Sequence, residues 1–307
     1  MARFSNFLLN VKAYEDNHYI EAATHYPNSR YERNLTDARR SSQVCRPWQD
    51  IVLGSPLMWA QLDWSMFQQK TDDWLNEVVR LSGSCYLHIT ADSLGNGDKL
   101  QSFVSLLDTQ WDRIQTLYIL LWDTKEGSQI ALDIYKKFTR PAMHLRSLFI
   151  LFRDRFVLDN QPVLFSNQAP SLQELQLNWA NFTFNVQASW LPNVRTVHIS
   201  DGTQLDVRKL LDGHSNMSPL EHLEIRDCLL VGHEDFNGQG LEINLPELHY
   251  IAIHDPLYGA CAAILDAIVP HPDCIFHWSS LKNFAEDWDY SSENFQRLSQ
   301  TFRSISE

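Results

Sequence analysis

Residues 170–178 read PSLQELQLN, and three leucines stand in the order apolar-x-x-apolar-x-apolar: Leu172, Leu175 and Leu177. The last two are two residues apart, so on a strand both side chains leave the same face. The same register returns at Ile114/Leu117/Ile119, Leu145/Leu148/Ile150, Val194/Val197/Ile199, Leu220/Leu223/Ile225 and Leu248/Ile251/Ile253. With the third positions at 119, 150, 177, 199, 225 and 253, the steps are 31, 27, 22, 26 and 28 residues. A proline stands one or two residues ahead of four copies, at Pro170, Pro192, Pro219 and Pro246. One such strand cannot bury its apolar face alone. Stacked as parallel strands, with helices or irregular segments returning outside, the copies share one core. The pattern predicts helical returns at residues 129–138 and 260–269. Residues 85–89, CYLHI, alternate like an earlier strand without its first leucine. A mixed α/β domain with several similar strands is the competing reading; the constant register favours the stack.

This spacing resembles that of leucine-rich repeats, whose period is about 20–29 residues. The fold expected is α/β: a leucine-rich-repeat-like solenoid with parallel strands, preceded by a small helical segment. On a solenoid, the residues between the core positions line the concave face. One column then reads Tyr118, Phe149, Gln176, His198, Glu224 and Ala252, and the next Leu120, Leu151, Asn178, Ser200, Arg226 and His254. Tyr118, Phe149, His198, Glu224, Arg226 and His254 are the candidate substrate-binding residues. The aromatic and apolar end is either an exposed contact patch or covered by another segment.

Ahead of the repeats, residues 42–63 read SQVCRPWQDIVLGSPLMWAQLD. Val44, Trp48, Ile51 and Val52 recur at helical spacing, which predicts one apolar face on a short helix. Gly54-Ser55-Pro56 ends that helix, because proline cannot continue it. Leu57 and Trp59 follow in a second short segment. The stretch resembles the second half of an F-box, in the form common in fungal F-box families; Val44-Cys45-Arg46, Trp48, Asp50-Ile51, Ser55-Pro56-Leu57, Trp59 and Leu62 carry the likeness. The family's usual Leu-Pro opening is not found in residues 1–41. The resemblance implies docking on a Skp1 adaptor through Val44, Cys45, Trp48, Ile51, Pro56 and Trp59. At least one of the two tryptophan rings must pack beyond the motif, near Trp74 and Val78 or on the adaptor.

The remaining chain divides into a weakly patterned stretch (1–41), the helical motif (42–66), the repeats (67–285) and a capping helix (286–307). Thr71 is placed to cap a helix carrying Trp74, Val78 and Leu81, with Gly83 as its stop. Residues 91–98, ADSLGNGD, read as a loop, and Leu100, Phe103, Val104, Leu107 and Trp111 as a helical stripe. From Phe276 onward the period breaks.

The 307 residues carry 25 Lys and Arg against 38 Asp and Glu, a net charge of −13. That disfavours broad nucleic-acid or anionic-membrane binding, which needs cations for phosphate. No run reaches membrane-spanning length. The five cysteines are odd in number and include no C-x-x-C pair, so they read as buried free thiols of a cytoplasmic or nuclear protein. Three N-x-S/T sequons, at Asn34, Asn181 and Asn216, read as chance matches. No nucleophile elbow, phosphate-binding loop or zinc spacing occurs, and His233-Glu234-Asp235 reads as a solvated loop. The expectation is therefore no enzyme, no cofactor and no metal. The resemblance implies a substrate-recognition subunit of a Skp1–cullin–F-box ubiquitin ligase that binds a protein substrate on the repeats. The alternatives are a stand-alone repeat scaffold without adaptor binding, or an acidic inhibitor of a basic enzyme.

Overall fold

The computed structural model describes residues 40, 43–67, 71–94, 98–121, 128–152, 163–178, 188–200, 204–206, 212–213, 216–226, 228–231, 243–254, 264–265 and 267–279. The predicted capping helix, the 233–240 loop and most of residues 1–41 lie outside them. The chain forms two compact units, Met1–Leu87 and His88–Glu307.

In the first unit, α1 (Arg46–Leu53) and α2 (Pro56–Trp59) lead into β1 (Gln61–Asp63), followed by α3 (Asp72–Leu81). The break between α1 and α2 follows from sequence. Pro56 sits in the first turn of α2, where its missing N–H costs nothing. The Gly54 N–H closes α1 onto the Asp50 carbonyl, and a β-carbon there would stand 2.8 Å from that oxygen. Trp59 is buried. Its Nε1–H donates to the Val52 carbonyl at 2.9 Å, and its ring meets Trp74 edge-on at 6.3 Å. So one predicted ring does find its partner around Trp74. Gly83, at φ +54°, follows α3 as expected of a helix stop. Thr71 is the N-cap of α3 by position, but its side chain makes no capping bond; Asp72 and Asp73 supply negative charge to the first turn.

The second unit is a parallel sheet with helices and short strands outside it. Its main strands are β2 (Leu87–Leu94), β3 (Ile114–Leu121), β4 (Ser147–Phe152), β5 (Glu174–Asn178), β6 (Thr196–Ser200), β8 (His222–Arg226), β11 (Tyr250–His254) and β13 (Ile275–Ser279), adjacent in that order. From β3 to β13 every neighbouring pair is parallel. The register matches the sequence repeat: Leu117, Leu148, Leu175, Val197, Leu223 and Ile251 are successive partners, and so are Ile119, Ile150, Leu177, Ile199, Ile225 and Ile253. All of these side chains, and the six first positions from Ile114 to Leu248, are at most 3% exposed. Leu175 and Leu223 share the buried face, but β6 stands between them.

Five strands of the main sheet begin at a turn. The N–H groups of Ile114, Leu172, Val194, Leu220 and Leu248 donate to carbonyls three residues back, at Trp111, Ala169, Leu191, Met217 and Leu245. Pro170, Pro192 and Pro246 take the second position of three of these turns, where a fixed φ is favourable, and Pro219 the third position of another. The turns bond to one another: Asn193 Nδ2–H donates to the Pro170 carbonyl (2.8 Å) and Ser171 Oγ–H to that of Met143 (2.9 Å).

The returns change along the sheet. Helices α4 (Asp98–Gln110) and α5 (Ser128–Lys137) return in the early part, α5 where the pattern predicts it. Later the described returns hold short strands. β7 (Gln204–Asp206) pairs in parallel with β9 (Leu229–Val231), and β10 (Ile243–Leu245) with β12 (Ile268–Pro270). Of the predicted helix over 260–269, residues 264, 265 and 267 are helical, and 268–269 belong to β12. Two further expectations are corrected. Residues 91–94 belong to β2 rather than a loop, with Leu87, Ile89 and Ala91 buried in alternation. The period does not break at Phe276, because β13 pairs with β11 and sets Phe276 beside Ile251.

One turn departs from ordinary backbone geometry. Phe165, Ser166 and Asn167 have φ of 54°, 48° and 61°, a left-handed turn that costs L-residues about 1–2 kcal/mol each. Bonds to the preceding repeat hold it: Phe165 N–H to the Phe138 carbonyl at 2.6 Å and Ser166 Oγ–H to that of Thr139 at 2.5 Å.

Candidate functional site

Two surfaces are candidates, one in each unit. In the second unit the sheet face opposite the apolar columns carries both predicted rows in register. Tyr118, Phe149, Gln176, His198, Glu224 and Ala252 are successive partners, and the row continues to His277. The neighbouring row runs Leu120, Leu151, Asn178, Ser200, Arg226 and His254.

The early end is aromatic. Tyr118 and Phe149 stack at 4.2 Å and 15°, which leaves Phe149 buried and Tyr118, Leu120 and Leu151 half-buried. Of the two alternatives, an exposed patch or a covered one, the described residues lie between: Phe149 is buried, and Tyr118, Leu120 and Leu151 are partly exposed.

The later end is a charge cluster around Glu224, whose side chain is only 8% exposed. His198 Nδ1 lies 2.7 Å from Oε2, so the ring donates from that nitrogen. Arg226 Nε–H donates to Oε1, and His254 Nε2 stands 3.6 Å from the same oxygen. Burial alone would raise the Glu224 pKa. The His198 and His254 rings and the Arg226 charge outweigh it and hold the carboxyl well below its usual range. Tyr250 moves the other way, raised by burial and by the Glu224 charge, with Arg226 opposing. The rings of His222 and Tyr250 lie 5.3 Å apart, and those of His254 and His277 5.4 Å.

So the four charged or imidazole candidates, His198, Glu224, Arg226 and His254, meet in one cluster, and Tyr118 and Phe149 form a separate pair. Sequence reasoning missed His222, Tyr250 and His277. His277 was within reach: shifting the 248/251/253 register by 25 residues gives 273/276/278, with Asp273 where an apolar residue belongs.

The first unit presents the other surface. Val44 (71%), Trp48 (53%), Ile51 (59%) and Leu57 (74%) are exposed, together with Leu53 and Met58. Cys45 and Pro56 are exposed as well. Two corrections apply. Trp59 is only 1% exposed, so it belongs to the core and not to this surface. Val52 likewise turns inward, away from Val44, Trp48 and Ile51, with which the spacing had grouped it.

The described cysteines are free, but only Cys228 is buried; Cys45 is exposed, and Cys85 and Cys274 are intermediate. Burial pushes the Cys274 thiol up to about 11. Among the described residues no group of three or more His, Cys, Asp or Glu is arranged to hold a metal ion. No helix among them is long and apolar enough to cross a membrane. Comparison with protein-family models, curated proteins and solved structures finds no match in any of the three.

Proposed function

We propose that this chain is a substrate-recognition subunit of a Skp1–cullin–F-box ubiquitin ligase. The first unit then carries an F-box-like motif, and the parallel sheet is a leucine-rich-repeat-like solenoid that holds a protein substrate on its open face. The chain binds and orients; the ubiquitin-transfer chemistry belongs to partner subunits. The observation that carries this reading is the surface of α1 and α2. Val44, Trp48, Ile51 and Leu57 are each more than half exposed within one short motif, and large apolar residues left in solvent so close in sequence are what a docking site supplies. With Cys45 and Pro56, which are also exposed, the surface includes five of the six residues that the F-box resemblance assigns to the adaptor.

The test is titration calorimetry of the purified chain with Skp1, alongside Val44→Asp and Ile51→Asp. The expected result is saturable binding that each aspartate weakens at least tenfold, with the thermal midpoint unchanged. Absence of binding, or binding indifferent to both substitutions, would leave a stand-alone interaction scaffold. The inward position of Trp59 favours that second reading, since one residue of the motif is spent on the unit's own core.

A further inference from the structure

The open sheet face combines an apolar end and an end that carries the Arg226–Glu224 pair, at a defined separation. Leu151, Asn178, Ser200 and Arg226 are successive partners across β4, β5, β6 and β8. Three strand-to-strand steps of about 4.8 Å set Leu151 and Arg226 roughly 14 Å apart along the row, the reach of about four extended residues. Tyr118, stacked on Phe149, borders the Leu151 end.

At the other end the carboxylate lies deep and the cation lies outward. Glu224 is 8% exposed in its side chain and Arg226 38%. Glu224 engages Arg226 through Nε alone, so the two terminal amino groups of the guanidinium remain on the outer side. That is the edge suited to a carboxylate, which can accept two parallel N–H bonds. The pairing also fixes the orientation of Arg226, so less side-chain entropy is lost when a ligand arrives. His198 and His254 face Glu224, His277 lies against His254, and the other acid described on this part of the face, Glu174, accepts from Ser147 Oγ at 2.7 Å.

We infer that the open face takes an extended acidic peptide segment lying across the strands. An aromatic or leucine side chain sits at Tyr118 and Leu151, and an Asp or Glu about four residues away lies on Arg226. This rests on the reading of the sheet face as the substrate surface and is independent of adaptor docking. Glu224 acts here as a positioning residue: it aims Arg226 and does not touch the ligand.

The experiment selects random twelve-residue displayed peptides on the immobilised full chain and measures synthetic winners by fluorescence anisotropy. The expected winners share an acid about four positions from an aromatic or leucine. Changing that acid to its amide should weaken binding at least tenfold, as should Arg226→Gln. The peptide-side change gives the same information if Arg226→Gln folds poorly. Binding should also weaken as salt rises. Winners that lose affinity with Tyr118→Ala but are indifferent to the acid would overturn the acidic class and leave the face as the binding surface. Winners indifferent to both Tyr118→Ala and Arg226→Gln, or no winners at all, would overturn the face itself.

Discussion

Ile51 and Ile253 are the same residue in equally regular segments, yet Ile51 on α1 is 59% exposed and Ile253 on β11 is fully buried. The difference lies in what each element is given to pack against. Every core position from β4 to β11 has a partner in register on both sides, so its apolar side chain is covered by copies of the same pattern. The outer face of α1 has no such repetition. The core residues of the sheet therefore hold the fold, whereas Trp48 and Ile51 on α1 and Leu57 on α2 stay exposed.

Substitutions can break or sharpen that contrast. The largest effect is expected inside the first unit. Trp59→Ala removes a fully buried ring and its bond to Val52, and should cost about 3–5 kcal/mol in urea unfolding. A cost under 1 kcal/mol would return Trp59 to the exposed group. Leu175→Ala or Leu223→Ala in the sheet should each cost about 2–5 kcal/mol. Leu57→Ala, at a similarly apolar but exposed position, should stay within about 0.5 kcal/mol. If Leu57→Ala matched the core leucines, the distinction between the two surfaces would collapse.

Glu224→Ala should fall between these, at about 1–3 kcal/mol, because it strips the counter-charge from Arg226 and His198, which water can still partly reach. The pH dependence has a definite sign. The folded pKa of Glu224 is depressed, so its stabilising contribution is fully present above the ordinary value of 4.5 and is lost as pH falls below it. Glu224→Gln should accordingly flatten the acid limb of the stability curve below pH 4.5. The smallest effect belongs to Arg195, whose exposed pair with Glu221 joins the turns ahead of β6 and β8. Arg195→Ala should change stability by under about 0.5 kcal/mol, since solvent and salt screen exposed pairs.

Most of the parallel sheet was legible because its code is short-range. Three apolar positions in six residues fix which way a strand faces, and the proline ahead of them marks the turn. What escaped depended on distant partners. β13 was hidden by Asp273 at the first point of its register. Leu94 was read as loop because the glycines after it dominate the local composition. The rows of the open face could be written down from spacing alone, but the enclosure of Glu224 could not. It requires His198, Arg226 and His254 on three strands to converge on one carboxylate.

By itself, then, the sequence determined which way the strands from β3 to β11 of the main sheet face, the turns ahead of most of them and the members of both rows across those strands. Those follow from backbone geometry and side-chain alternation within a few residues. Tertiary structure decided which of two tryptophans went inward, which apolar surface stayed open, and which of the scattered histidines met an acid. A local pattern states that a residue is apolar or charged. Only a neighbour delivered from elsewhere in the chain determines whether it is covered or neutralised.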